Sequence, residues 1–431
     1  MDQKNSALEQ RVKEQYERFP FPDYGLQSTP VPMIANSDDL SRISARLFEG
    51  RLDPSTMNVL VAGGGTGEKT LGLALQLAPV GGRVTHLDLS SHSVDQARRG
   101  MDAAGIDNVR FVQGSIYYIQ CMGVLHHLPD PAAGLAALRD VLTDEGGISL
   151  AVYATTGRTA IYLLKDAFDV LMDPDASLDE QLSLGAKAFE ALPASHWLNF
   201  DAPLMRHLKR HGPKALLDAA LHSVDHHYSI DSFMALIDGA GLSFVDFSEP
   251  YGKMVLDYVD HYGLAPEVTA RLRALPITER RKFLELFIGR LVVHSAYLTR
   301  SPRRKPTITG ELGFIPSQTI FGSILTRPAD KTGAKNRFNI SDARYGGIQT
   351  RISPIGIEFL RRVDGVASTE QILTEIASSV AGGGVPISDL ATRVADACSV
   401  LFDLDIFAFT DRSFAESKTR LMDALRASRQ S

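Results

Sequence analysis

Val59-Leu60-Val61-Ala62-Gly63-Gly64-Gly65-Thr66-Gly67 reads as an apolar strand running straight into a glycine turn that opens a helix. Glycines permit the positive φ such a turn needs and let a ligand approach the backbone closely. The helix start beyond them offers free N–H groups. The spacing is G-x-G-x-G. A dinucleotide fingerprint, G-x-G-x-x-G, would place its last glycine at position 68, which is Glu68. Asp88 follows Gly67 by 21 residues, at the end of the next strand pattern. A carboxylate there can accept both hydroxyls of a ribose. A lone strand-end Asp could also simply cap the helix that follows, but its distance from the glycine turn favours a nucleoside site.

Outward from this turn, strand and helix patterns alternate. Strands are expected over 59–61, 83–89, 109–113, 118–125 and 148–153, with helices through 78, over 94–104 and over 132–142. That alternation predicts an α/β fold: a doubly wound, mostly parallel, Rossmann-like sheet covered on both faces. Residues 158–240 are mostly helical in pattern and form an insertion, a cap; strands return at 242–247 and 291–298. The Pro/Arg/Lys-rich stretch 300–306 marks a boundary. The expected units are 1–56 (helix and lid segment), 57–300 (the sheet domain), 301–337 (an extended linker) and 338–431 (a small α+β module and tail). Three helical patterns (354–363, 368–380, 387–402) and a short strand at 406–409 give that last module a winged-helix-like outline.

The G-x-G-x-G turn and Asp88 resemble the first motifs of class I S-adenosylmethionine (SAM)-dependent methyltransferases. Gly123-Val124-Leu125-His126-His127-Leu128-Pro129-Asp130-Pro131 is similar to the fourth-strand motif of many small-molecule members. Val152-Tyr153-Ala154-Thr155-Thr156-Gly157-Arg158 and Leu221-His222-Ser223-Val224-Asp225 are similar to stretches of one bacterial group. So is the Pro-rich Phe19-Pro20-Phe21-Pro22-Asp23-Tyr24-Gly25. The resemblance covers roughly residues 10–300. It implies SAM as cofactor, held by Gly63, Gly65, Gly67, Asp88, Leu89 (against the adenine), Ser115 and Gly123. It also implies methyl transfer by in-line displacement to a small molecule or modified peptide, with Tyr24, Tyr153, Arg158 and His222 facing that acceptor. The position before the glycine turn that is acidic in the family is Val61 here.

His126 and His127 fall at the carboxyl end of a parallel strand, where such sheets bind ligands. An imidazole there, with an ordinary pKa near ~6.5, suits a general base that takes a proton from an acceptor hydroxyl. His127 is the preferred candidate and His126 the second. Six of the twelve histidines lie between positions 196 and 227. The pair His207 and His211 sits among Arg206, Lys209 and Arg210, a solvated basic face rather than a metal site, and no metal is expected.

One connection is too short for these strand placements. In the family's strand order the third and fourth strands lie three spacings apart, roughly 14 Å across plus a return along the sheet, about 20 Å in all. Only Ser115, Ile116, Tyr117 and Tyr118 separate Gly114 from Ile119, and five steps span at most about 18 Å. Either the crossover is deleted, or a segment is absent from this sequence, or the third strand lies elsewhere than 109–113. The expected outcome is a chain break near 115–118, a displaced third strand or an altered strand order. A deletion there would open the adenine side of the pocket. The rival function is then a catalytically impaired, methyltransferase-like scaffold acting through its C-terminal module.

Composition sets the remaining bounds. The formal charge of −6 over 431 residues gives no general attraction to nucleic acid or anionic lipid. Two cysteines argue against a disulfide framework. The charged N-terminus lacks an apolar leader, no membrane span is expected, and the reading is a cytoplasmic protein. Residues 338–410 carry five basic and nine acidic side chains, opposite in sign to a nucleic-acid reader. Docking or regulation, homodimerisation included, suits the module better. Titration of the full chain at low salt against mixed duplex and single strands should therefore show no saturable, salt-sensitive binding. A steep salt dependence would refute this assignment.

Overall fold

The computed structural model describes residues 2–18, 38–88, 90–110, 116–173, 176–248, 262–319, 326–328, 337–342, 346–379, 384–403 and 405–418. Helices α1 (Asp2–Arg18) and α2 (Leu40–Leu47) precede the sheet domain. There follow β1 (Asn58–Ala62), α3 (Glu68–Leu77), β2 (Arg83–Leu87), α4 (Ser91–Ala103), β3 (Val109–Arg110), β4 (Ile116–Met122), α5 (Pro131–Val141) and β5 (Leu142–Tyr153). The cap comprises α6 (Thr159–Leu171), α7 (Leu178–Glu190) and α8 (Ala202–Ala220). Then come α9 (Ile230–Gly239), β6 (Ser243–Phe247), α10 (Pro266–Arg273), α11 (Ile277–Ile288) and β7 (Val293–Thr299).

The seven strands pair in the order β3-β2-β1-β4-β5-β7-β6. The first five run parallel, and β7 is antiparallel to both neighbours. Apolar side chains leave both faces. Leu60, Ile119, Leu150 and Leu298 pack with Leu135, Phe233 and Ile237 of α5 and α9. Val59, Val61, Tyr118 and Tyr297 pack with Ile43, Leu47, Leu73 and Leu77 of α2 and α3. The cap holds a core of its own around Ile161, Phe168, Leu208 and Leu216. Within α8 the helix breaks at Gly212 (φ 62°, ψ −144°) ahead of Pro213, whose ring and missing N–H interrupt the ladder.

The altered strand order named among the expected outcomes is not found. The strand order expected from the resemblance is kept, with β3 described at Val109–Arg110 and β4 starting at Ile116 rather than Tyr118. Arg110 is level with Thr85, Leu60 and Ile119 across the sheet. Ile116 therefore lies about 14 Å across and 10 Å back, roughly 17 Å away. The six steps from Arg110 to Ile116 reach about 22 Å. Contour length therefore permits the connection from Arg110 to Ile116; residues 111–115 themselves lie outside the described residues.

The C-terminal module contains β8 (Ile315–Gln318), β9 (Thr326–Pro328), β10 (Arg337–Asp342) and β11 (Gly346–Arg351). After them come α12 (Pro354–Leu360), α13 (Thr369–Ser378), α14 (Ile387–Asp403) and β12 (Phe407–Thr410). β9, β10 and β11 form one antiparallel sheet, and β8 pairs with β12. Ile308 is buried with Phe359, Ile376, Val394 and Phe409. Within the segment 301–337, Ile308 belongs to the module's core and Ile315–Gln318 to its β8–β12 pair.

A buried charge hub fastens this module to the sheet domain. Asp405, 2% exposed and in the left-handed region at φ 55°, accepts from Arg42 (2.8 Å) and from Arg46 (2.9 and 3.0 Å). Lys305 joins the same carboxylate, and Arg46 also pairs with Asp246 of β6. Burial lowers the pKa of Arg42, but Asp405, with Tyr297 and Asp39, more than offsets it and the net shift is upward. Removing one member of such a buried network costs about 3–5 kcal/mol. Asp405→Asn, which keeps a residue type that tolerates positive φ, should lose about 3 kcal/mol of stability in urea unfolding. A loss below about 1 kcal/mol would show that packing alone holds the module.

Candidate active site

The glycine turn leaves β1 with Gly63, Gly65 and Gly67 at φ 66°, 52° and 101°. Gly67 stands at the start of α3 with no side chain capping the helix, so its first N–H groups face the turn. Thr66 donates to Glu68 within the turn. Asp88 closes the arrangement. One of its oxygens accepts from the Gly65 N–H at 2.8 Å and the other from the Ser90 N–H at 2.9 Å. Each carboxylate oxygen accepts two hydrogen bonds, so both keep capacity for a ribose hydroxyl. On the far side, Gly123 follows β4 at φ 80°, and a Cβ added there would meet nothing within 4 Å. The residues present therefore fit a nucleoside cofactor. Val61 is buried in the sheet core and offers it nothing polar. Leu89, Ser115 and Tyr24 lie outside the described residues.

Tyr153, Arg158, His126, His127 and His222 converge. The segment after α8 runs along the end of β5: Tyr228 N–H donates to Tyr153 O, Thr155 N–H to Tyr228 O, and His226 N–H to His126 O. That pairing brings His222 and Val224 against the turn after β4. The His127 and His222 rings stack at 3.8 Å, as do those of His126 and Tyr153. The Arg158 guanidinium covers the other face of the Tyr153 ring at 3.5 Å and donates to Tyr162 and to Ala219 O. His126 is wholly buried, and neither of its ring nitrogens has a partner among the described residues.

Three residues that sequence reasoning missed complete this cluster. Asp218 accepts from Tyr153 at 3.3 Å and from Tyr16 at 3.5 Å. Tyr16 reaches it from α1, passing close to the rings of His127 and His222. Asp225 has a fully buried side chain, and its nearest cation is Arg158 at 3.9 Å. α1 is tied down at its C-terminal end: Glu17 accepts from the first N–H groups of α4, and Arg18 pairs with Asp179 of α7. The sequence signal for Asp218 was a lone carboxylate inside the apolar run Leu216-Leu217-Asp218-Ala219-Ala220.

Burial sets the electrostatics. It pushes the pKa of His127 down to about 4, against a raising bond to Val224, and drives those of His126 and His222 well down too. The imidazoles are neutral at pH 7, further from titration than an ordinary histidine. Burial raises Asp218 to about 6 and Asp225 to about 7, each partly offset by Arg158.

A carboxyl whose folded pKa is raised keeps a proton that the unfolded chain has released. Its stabilising contribution therefore falls as pH rises from the unfolded value toward about 7. Asp225→Asn removes that penalty. Its stability relative to the parent should rise between pH 5 and pH 8 by roughly 2 kcal/mol, read from urea unfolding at both pH values. A difference independent of pH would remove Asp225 from the buried cluster.

With the geometry in place, comparison with known proteins is informative. The family described as "Methyltransferase domain" matches residues 60–148. An uncharacterised protein of Synechococcus is 28% identical over 310 residues, 69% of this chain and 73% of that protein. The tRNA 5-carboxymethoxyuridine methyltransferase of Escherichia coli K12 is 28% identical over 165 residues, 36% of this chain and 60% of the enzyme. Among solved structures, PKMT2 from Rickettsia typhi superposes with a TM-score of 0.60 at 16% identity, covering 89% of this chain and 77% of that one. The family match over residues 60–148 agrees with the glycine turn, the strand order and Asp88: this stretch is similar to a methyltransferase domain and has the fold expected of the class I, SAM-dependent members.

Proposed function

We propose that this chain binds SAM and methylates a small molecule or modified peptide. The observation that carries the reading is the strand-end Asp88. It is tied to the glycine turn yet keeps acceptor capacity, and it faces the one side of the sheet where the histidine cluster also emerges. When bound, SAM supplies an electrophilic methyl on a sulfonium. Gly65 and Gly123 would let it approach the backbone, Gly63 and Gly67, packed against Val124 and Ala97, shape the turn, and Asp88 would receive its ribose.

The chain's part in catalysis is placement. Holding nucleophile and methyl in line supplies much of the acceleration. Tyr153, Arg158 and His222 wall the acceptor chamber, with His126 packed behind Tyr153. His127 is neutral, and its Nδ1 is engaged by the Val224 carbonyl at 2.8 Å, so the acceptor's proton can pass only to Nε2. Tyr16 roofs the chamber and excludes water.

Calorimetry with SAM and with S-adenosylhomocysteine separates this reading from the scaffold reading. The parent should bind both, and Asp88→Ala, losing about 2–4 kcal/mol, should bind roughly thirty- to a thousand-fold more weakly with its fold intact. Absence of binding by the parent would favour the non-catalytic scaffold. An Asp88→Ala affinity within threefold of the parent would remove the ribose assignment.

A further inference from the structure

We infer that His127 and His222 form a matched proton-acceptor and proton-donor pair that selects a hydroxyl as the methyl acceptor, making the reaction an O-methylation. The inference rests on the SAM reading above and deepens it.

One residue, Val224, sets both rings. His127 Nδ1 lies 2.8 Å from the Val224 carbonyl, which can only accept, so Nδ1 carries the hydrogen and Nε2 the lone pair. The Val224 N–H donates to His222 Nδ1 at 3.1 Å, so here Nδ1 carries the lone pair and Nε2 the hydrogen. The two tautomers are opposite. A second hydrogen-bond partner fixing one nitrogen is the usual way a protein chooses the other's role. The rings stack at 3.8 Å with 25° between their planes. Both Nδ1 atoms face Val224, and therefore both Nε2 atoms face away from it. His222 Nε2 is buried and has no partner among the described residues. Both rings are held neutral by burial, so neither presents a full charge.

A group entering between these nitrogens must give a proton to one and accept from the other. A carboxylate has no proton to give. An ammonium has no lone pair. A neutral amine has one lone pair, and attack on the methyl consumes it, leaving none for the His222 N–H. A hydroxyl satisfies all three demands: its hydrogen goes to His127 Nε2, one lone pair accepts from His222, and the other attacks. The transfer breaks the sulfonium C–S bond, whose electron pair stays on the resulting thioether, and forms a C–O bond. The hydroxyl proton ends on His127, which becomes an imidazolium still bonded to the Val224 carbonyl.

Asp218 acts on this pair as a positioning residue. It holds the Tyr16 hydroxyl, and Tyr16 is the ring that covers both histidines, with centroids 6.5 and 5.7 Å away.

Nitrogen-15 histidine NMR on the full chain, saturated with S-adenosylhomocysteine, tests the pair. The expected spectrum shows the hydrogen on Nδ1 of His127 and on Nε2 of His222. Phenol, benzylamine and benzoate, matched in ring size, then serve as probes. Phenol should shift both Nε2 signals and bind at least tenfold more tightly than the other two. His222→Phe should weaken phenol binding at least tenfold and leave S-adenosylhomocysteine affinity within twofold. The inference is overturned if the two rings share one tautomer, if benzylamine or benzoate shifts them as strongly as phenol, or if no probe shifts either. Calorimetric S-adenosylhomocysteine binding in the same sample distinguishes the failures. Retained binding with matching tautomers overturns the hydroxyl assignment alone, whereas absent binding overturns the SAM reading and this inference with it.

Discussion

Parallel register is the constraint on which this molecule's site depends. Val59 lies level with Val84 on one side and with Tyr118 on the other, and Tyr118 with Gly147 beyond it. Strands in step and pointing the same way must end on the same side of the sheet. The glycine turn after β1, Asp88 after β2, Gly123 to His127 after β4 and Tyr153 at the end of β5 are thereby gathered along one edge. No side chain has to reach far, since the backbone has already delivered it. In open α/β sheets this edge is where ligands bind.

Around that edge the protein buries polar groups that would otherwise be costly. Arg158 is stacked on Tyr153 and hydrogen-bonded to Tyr162 and Ala219 O, so its charge is solvated by the protein. Asp218 and Asp225 are relieved in part by that cation and in part by holding their protons to higher pH. Such an arrangement is built into three separate elements: α1 supplies Tyr16, β5 and the turn after it supply Tyr153 and Arg158, and α8 with its following segment supplies Asp218, His222 and Asp225. A second buried charge system, centred on Asp405, ties the C-terminal module to α2 and through Arg46 to β6. The module is therefore packed against the scaffold that carries the site.

Most of the sheet domain was legible in the sequence because its signals are local. The alternation of apolar strand and amphipathic helix, the G-x-G-x-G spacing and the strand-end Asp88 require no knowledge of distant contacts. Val109 to Gln113 reads as one strand, of which Val109 and Arg110 lie among the described residues, and the fourth strand starts at Ile116, earlier than its composition suggests. Residues 301–337 were read as linker. The Ile315–Gln318 strand is short and contains Pro316, and only its non-local partner Phe407–Thr410 makes it a strand. Tyr16 and Asp218 were invisible as site residues because each sits in a helix far from the motifs, and Asp225, though it closes the stretch Leu221–Asp225, shows its burial beside Arg158 only in the fold. Their convergence arises from the folding of α1 and the cap over the sheet edge. The histidines were located correctly, but not their protonation: an isolated imidazole suggests titration near neutrality, whereas burial and the Val224 peptide hold both rings neutral in fixed tautomers.

The central claim is that one sheet edge holds the cofactor and the acceptor chamber side by side. A crystal structure of the full chain with S-adenosylhomocysteine tests it most directly. The expected result is a ribose on Asp88, the nucleoside along the Gly63–Gly67 turn and Gly123, and a sulfur facing His127 and His222. A nucleoside bound elsewhere, or a sulfur turned away from the two histidines, would contradict the account.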